Sequence, residues 1–377
     1  MKNKILLVND TYDDNNLGCK ATTEALYRLI DNYLDDCNVT DVIKLYHTER
    51  SELNGVIPEA DIDDYELKST HNYLMATLPL QFELNKIVNC DIVVINGEGS
   101  IYKTVLKCRY ILYVAYIAKK VFSKKVYLIN HTADISMIRD IAKRVYPILD
   151  GVAVREPVSY RELLNAGIHN IVQASDAIFC FESSEFTGFH ERLPFGFDIE
   201  KDYIMLGGSS LNHALYEKWN GVWDVSSFYN LITSLRDNTH AQIMLVDVGG
   251  DSFLREFDRL ENVYYGKMNY NDYVLLAKQA KIHISGRHHG LCLAAIAGCP
   301  LIGLSANTHK IKGDFELLNW NLPVIDFYKI NESTDQILNL IKELLENNII
   351  YRQAILEKIE ETRERARQNV LVVKEKL

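Results

Sequence analysis

One stretch of the chain, HISGRHHGLCLAAIAGCPLIGLSANTHK (His283–Lys310), sets Arg287, His288 and His289 between a strand-like run and an apolar helix. The first N–H groups of a helix lack intrahelical acceptors, and the dipole there favours an anion. A cationic cluster at that end is unfavourable unless an anion joins it. The junction therefore reads as a cradle for phosphate or carboxylate. Arg287 supplies a planar fork of donors, and His289 a group whose ordinary pKa lies near neutrality. Gly286 permits a sharp turn, and Gly290 lets a ligand approach closely. Lys310 lies where it can reach the same anion from the next loop. The competing reading is a polar cap packed against a neighbouring domain.

Other residues could serve a hydroxyl substrate. Glu98, between Gly97 and Gly99 after a strand-like run, is a candidate general base; it could equally belong to an N-cap network. His131 and Asp134 follow another strand-like run, where α/β sheets place ligands. Asn16 and Gly18 form a turn whose amides could line a site, or a plain Asn/Gly loop. Arg155 precedes a helix start at Glu156-Pro157, with Glu156 a ready partner for Arg155 or Arg161. Gly207-Gly208-Ser209-Ser210 follows a strand and could cradle an anion, as could Gly249-Gly250-Asp251 more weakly. GxxxxGK and GxGxxG spacings are absent, so no nucleotide-binding glycine fingerprint is present.

Positioning these groups requires a particular scaffold. Strand signals recur at KILLVND, DVIKLY, DIVVING, KVYLIN, GVAVRE and NIVQAS, with helical stretches between, notably 105–120 and 135–146. The pattern lapses over 181–201. It restarts with DYIMLGGSS, QIMLVDV, ENVYYG, KIHISG, PLIGL and LPVIDF, and ends in a charged helical segment, 334–377, broken near Asn347 and Asn348. Strands alternating with helices imply parallel sheets covered on both faces. The expected architecture is α/β: two Rossmann-like, doubly wound domains facing a cleft, 1–185 and 202–377, joined by a linker at 186–201. The charged helix 355–376 is expected to cross back onto the first domain or to meet another subunit. Tyr110, Tyr113 and Tyr116 are expected to pack between layers or against a partner.

Bulk properties narrow the choices. The chain has 377 residues, 47% hydrophobic and 24% charged, with a net charge of −10. That balance argues against nucleic-acid binding through bulk electrostatics but leaves room for a locally basic pocket. Seven scattered cysteines show no disulfide or zinc spacing, so no metal is expected and a reducing compartment is. No apolar run reaches the roughly 20 residues of a membrane span. A cytoplasmic location follows, with association at the inner membrane face left open.

Five motifs, in order, resemble the polysaccharide pyruvyl transferase family. They are VNDTYDDNNLGCKAT, VVINGEGSIY, VAVREPVSYREL, QASDAIF, and Ser285-x-Arg287-x-His289 followed by Gly298-x-Pro300 and Lys310. The resemblance implies a fold similar to GT-B glycosyltransferases. It also implies transfer of the enolpyruvyl carbon of phosphoenolpyruvate onto two sugar hydroxyls, giving a ketal and phosphate without a cofactor. By the resemblance Arg287 and His289 would hold the donor, Arg155 would supply a second cation, and His289 could serve as the acid. From the readings of the residues above, His288, Gly208, Ser209 and Lys310 would join the donor side, Glu98 and His131 would act in catalysis, and Asn16, Gly18, Gly97 and Asp134 would line the acceptor side. The acceptor would be a surface glycan or its precursor; lipid linkage and a homo-oligomer are left open. Departures from the family pattern are Cys19 for Asp, Glu98 for Gly, His288 for Leu, Ala177 for Pro, and His131-Thr132-Ala133-Asp134 for a glycine-rich turn. They keep a nucleotide-sugar glycosyltransferase as the alternative. A sugar-phosphate sensor without chemistry is a third reading.

Overall fold

The computed structural model describes residues 2–44, 67–69, 84–103, 106–217, 222–223 and 225–376. The chain divides into two compact units. One comprises Met1–Asp13, Thr22–Cys180 and Glu364–Leu377; the other comprises Asp14–Ala21 and Phe181–Arg363.

The first unit carries a six-stranded sheet in the order β2-β1-β3-β4-β5-β6. Its strands are β1 (Asn3–Val8), β2 (Cys37–Ile43), β3 (Ile92–Tyr102), β4 (Lys125–Asp134), β5 (Gly151–Val154) and β6 (Ile171–Gln173), and all pair in parallel. Ile5 to Val8 are fully buried, the continuous apolar run of a strand covered on both faces. The helix Leu106–Lys120 buries Tyr110, Tyr113 and Tyr116 together with the aliphatic residues between them, so these tyrosines are packing residues.

The second unit carries a five-stranded parallel sheet in the order β11-β10-β7-β12-β13. Its strands are β7 (Tyr203–Ser209), β10 (Gln242–Asp247), β11 (Val263–Lys267), β12 (Ile282–Gly286) and β13 (Leu301–Gly303). A two-stranded antiparallel piece, β8 (Tyr216–Glu217) with β9 (Val222–Trp223), has no counterpart in the sequence reading. LPVIDF does not complete the sheet as a strand; it contributes one bridge, Leu304 to Ile325. Part of DVIKLY lies outside the described residues.

Chain order and compact units differ at three places. Asp14–Ala21 groups with the second unit and Glu364–Leu377 with the first. The segment expected as a linker packs on the second unit. There Asp272 accepts from the backbone of His190 and Glu191, and Phe197 rests edge-on against Tyr203 and Tyr264.

Both sheets reverse winding direction once, between β1 and β3 in the first and between β7 and β12 in the second. Loops at the carboxyl side of such a switch diverge and leave a crevice. The first switch point carries Asn9–Thr11 and Asn96–Glu98; the second carries Ser209 and Gly286-Arg287.

A ladder of buried asparagines ties the C-terminus to the first switch point. Asn130 donates from its backbone N–H to Asn369 Oδ1 (2.8 Å) and from Nδ2 to Asn96 Oδ1 (3.1 Å). Asn96 Nδ2 reaches Glu98 Oε1 at 3.3 Å, and Asn9 Nδ2 donates to the Asn96 carbonyl at 2.6 Å. Asn369 also donates to the Ser175 carbonyl at 2.9 Å. All four asparagines are fully buried. Truncating one leaves its partners desolvated and unpaired, at about 1–3 kcal/mol per group. Asn369→Ala is accordingly expected to destabilise the protein by roughly 3 kcal/mol in urea unfolding. A change within ±0.5 kcal/mol, the range of a surface substitution, would show that the ladder carries little stability.

Candidate functional site

At the second switch point, β12 ends and Arg287 becomes the N-cap of the helix His288–Ile296, with no side-chain cap. Its backbone N–H donates to Ser285 Oγ (3.0 Å), and Ser285 Oγ to the Gly208 carbonyl (3.2 Å). Arg287 turns back onto Asp251: Nε lies 2.9 and 3.1 Å from the carboxylate oxygens, and Nη2 lies 2.6 Å from Oδ1 and 2.9 Å from the Gly250 carbonyl. The side chain is 17% exposed and that of Asp251 is not exposed at all. Arg287 Nη1 makes no hydrogen bond to any described residue.

Burial pushes the Asp251 carboxyl up, to about 6, against the opposing pull of Arg287. Asn212 Nδ2 donates to the same carboxylate. An added Cβ at Gly208 would overlap both Asp251 and Asn212. Gly208 is therefore glycine so that Asp251 can close in. Gly207 and Gly208 lie within β7 rather than in a turn after it. Ser209 is buried; its Oγ accepts from the Leu211 N–H at 3.1 Å and donates to the Ser305 carbonyl at 2.7 Å. The expected anion cradle at Gly208-Ser209, and the weaker one at Gly249-Gly250, are corrected: both segments pack around Arg287 and its carboxylate.

His288 is buried, and its Nδ1 lies 2.6 Å from Asp314 Oδ2. A carboxylate only accepts, so Nδ1 carries the proton. Cys292 Sγ sits 3.9 and 3.8 Å from the two ring nitrogens. His288 is thus hydrogen-bonded to Asp314, with the Cys292 thiol close by. His288 is held by packing, which differs from its expected direct part in donor binding. The His289 ring stands edge-on to His288, 4.9 Å between centroids. Lys310 Nζ donates to Asn307 Oδ1 at 2.7 Å, and Ser210 Oγ reaches the same oxygen at 3.1 Å.

Asn16 and Gly18 were expected on the acceptor side. They group with the second unit, beside Arg287's neighbours. Asn16 Oδ1 caps the helix Leu17–Tyr33 by accepting from Gly18 N (2.9 Å) and Cys19 N (3.3 Å). Leu17 N donates to the Val248 carbonyl at 3.2 Å. An added Cβ at Gly18 would overlap the His289 ring, so Gly18 makes room for that imidazole.

At the first switch point Glu98 is nearly buried and adopts a left-handed backbone, φ 45°. Its carboxylate accepts from Thr11 Oγ1 (2.7 Å), Thr11 in turn touches Thr23 Oγ1 (2.9 Å), and Lys107 Nζ lies 3.7 Å from Oε2. This is a carboxylate held among donors within a strand, since β3 extends to Tyr102 with a register shift after Glu98. The N-cap alternative does not apply. Gly97 is glycine because a Cβ there would press on His131.

Two expected site residues are built into the core. Because β4 runs through to Asp134, His131 lies within a strand. It is fully buried, 3.0 Å from Tyr146 OH, and burial lowers its pKa to about 3. A neutral, enclosed imidazole packs; it does not reach a substrate hydroxyl. Arg155 is 1% exposed, pairs with Asp176 at 2.7 Å and donates to Thr132 Oγ1 at 3.1 Å, so its cation is neutralised inside the first unit instead of facing a donor. Glu156 caps the helix Pro157–Asn165 through Ser159 N. Asp134 forms a turn with Ser136.

The sequence reading missed Asn212, Asp314, Thr11 and Lys107. Only Thr11 stood inside a quoted motif. The others lie in stretches whose local pattern is ordinary helix or loop.

With this geometry in view, comparison with known proteins defines the class first. Two parallel sheets with flanking helices make a GT-B-like α/β fold. Anabaena Alr3699/HepE in complex with UDP-glucose is similar over 100% of both chains, with a TM-score of 0.58 at 13% identity. A putative UDP-N-acetylglucosamine 2-epimerase from Listeria monocytogenes is similar over 98% of this chain and 95% of that one (TM-score 0.57, 10% identity). S. aureus MnaA in its UDP co-structure is similar over 94% and 91% (0.56, 11%). No curated protein matches the chain in sequence. The polysaccharide pyruvyl transferase family model matches residues 16–308, and the chain belongs to that family. Among the described residues no helix is long and apolar enough to cross a membrane.

The buried imidazoles set an acid limit. His283, 2.6 Å from Tyr273 OH, is also lowered by burial to about 3. A base whose folded pKa lies below its unfolded value of about 6.5 is protonated more readily when unfolded. Its contribution to stability is full above pH 6.5 and is lost as pH falls toward 3. Each histidine is expected to remove about 1.4 kcal/mol per pH unit across that window. Melting curves from pH 7.5 to 4.5 should fall less steeply for His131→Gln than for wild type; parallel curves would show that His131 does not titrate on unfolding.

Proposed function

We propose that this protein transfers the pyruvyl unit of phosphoenolpyruvate to a sugar of a surface glycan or its precursor as a ketal. The observation that carries the reading is Arg287, fixed at the switch point of the second sheet with one guanidinium edge unengaged, at the N-terminus of an uncapped helix. An anionic donor bearing both phosphate and carboxylate suits such a site. Membership of the pyruvyl transferase family supports the choice of donor.

In the proposed reaction the methylene carbon of the donor takes one proton and becomes a methyl group. The first sugar hydroxyl adds to C2, the C2–O bond to phosphate breaks, and the second hydroxyl closes the ketal. Two hydroxyl protons are given up, balancing the one on the methyl group and the one leaving on hydrogen phosphate. Arg287 and the helix N–H groups stabilise the charge on the departing phosphate. His289, whose ring Gly18 accommodates, is assigned as the proton donor to the methylene. Lys310, the first residue of the helix Lys310–Leu317, donates to Asn307 and adds positive charge on the donor side.

A ligand panel tests this. A ligand that binds only the folded state stabilises it by about 2.7 kcal/mol at a hundred times its Kd. Phosphoenolpyruvate is expected to raise the melting temperature of wild type but not of Arg287→Ala, while UDP, CDP, GDP and CMP leave both unchanged. A shift with one nucleotide and none with phosphoenolpyruvate would sink the pyruvyl transfer reading and favour a nucleotide-sugar glycosyltransferase.

A further inference from the structure

The loop from Asp247 to Asp251, DVGGD, is shaped around Arg287. Asp247 Oδ1 accepts from Gly249 N (2.8 Å) and Asp251 N (3.0 Å), and Tyr265 OH donates to Asp247 Oδ2 at 3.0 Å. Gly249 and Gly250 take φ of 106° and 91°, a region that side chains other than glycine rarely enter. That path turns the Gly250 carbonyl onto Arg287 Nη2 and swings the fully buried Asp251 carboxylate onto Nε and Nη2. Asn212 and the bare Cα of Gly208 close the far side. Three of the guanidinium's four contacts run to one carboxylate.

We propose that Asp251 is the positioning residue of this site. It fixes the Arg287 plane so that the Nη1 edge is presented to the anionic donor, and the DVGGD loop exists to hold it there. The proposal rests on the reading of Arg287 as a donor-binding residue and adds the group through which that arginine is aimed. Two physical effects of a buried carboxylate oppose each other here. As a charge it cancels the arginine and weakens anion binding; as a fork partner it removes the freedom of a long side chain and strengthens it. The bidentate contact, the enclosure of Asp251 and the glycine-dependent path of the loop all favour the second effect. A carboxylate kept only to lower the local charge needs none of them.

The experiment is calorimetric titration of the full chain with phosphoenolpyruvate and, separately, with inorganic phosphate. The proteins are wild type, Asp251→Asn, Arg287→Lys, Arg287→Ala and the Arg287→Ala/Asp251→Asn double variant. Asp251→Asn is expected to bind both probes about tenfold or more weakly, and the double variant no more weakly than Arg287→Ala. Arg287→Lys keeps the positive charge but not the planar fork, and is expected to bind as poorly as Arg287→Ala. It decides the matter even if Asp251→Asn does not fold. Unchanged or tighter binding in Asp251→Asn, or wild-type affinity in Arg287→Lys, overturns the positioning role while leaving the donor reading intact. Wild type that binds inorganic phosphate but not phosphoenolpyruvate overturns the donor reading, and the variants then judge the clamp on phosphate. Wild type that binds neither overturns both.

Discussion

An arginine placed at the end of a buried parallel strand must find a carboxylate, and much of this protein follows from that requirement. An isolated buried cation is costly in a low-dielectric interior, and removing one partner of a buried pair typically costs about 3–5 kcal/mol. The chain meets the requirement twice. Arg155 follows β5 and pairs with Asp176; Arg287 follows β12 and pairs with Asp251. The motifs look alike in sequence, each an Arg after an apolar strand and before a helix. Exposure separates them. Arg155 is 1% exposed and bonded to Thr132 as well, whereas Arg287 is 17% exposed with an edge left over. The first pair is closed, while the second leaves the guanidinium edge on which the proposed donor site rests.

The first sheet shows a different constraint. Its central strands do not stop where the apolar runs stop. β3 continues through Glu98 to Tyr102 and β4 through His131 to Asp134, with register shifts on the way. Asn9, Glu98 and Asn130 adopt positive φ there. Non-glycine residues in that region are uncommon, and asparagine tolerates it best. The asparagine ladder supplies hydrogen bonds to a backbone that regular pairing no longer serves. Strain and side-chain compensation therefore coincide at the switch point, beside the Glu98 carboxylate.

Legibility in sequence followed the same line. Alternating strand and helix signals, the parallel character of both sheets and the junction at Gly286-Arg287 are all properties of local pattern, and they were readable. The partners were not. Asp251 lies 36 residues from Arg287, Asp314 26 from His288, and Asn369 239 from Asn130; no local period encodes such pairings. For His131, an apolar run ending in polar residues looks like a strand end, although β4 continues through it; Arg155 does follow the end of β5, but its partner Asp176, 21 residues on, is not encoded locally. Asn16 and Gly18 were read by position in the chain, yet their short segment packs with the second unit.

The charge balance at Arg287 bears on how such a site can hold an anion at all. Asp251 and Asp314 accompany Arg287 and His288, in a chain whose net charge is −10. Long-range attraction is therefore a poor account of recognition, and screened charges would not discriminate between anions. What remains is short-range and directional: the first-turn N–H groups of the helix His288–Ile296, the free guanidinium edge, and an imidazole for which Gly18 leaves room. Preorganised donors of this kind act where charge develops, without reorganisation at the moment of reaction. A site so built distinguishes ligands by the geometry of their oxygens, and that selectivity suits a donor carrying two different anionic groups on one small carbon frame.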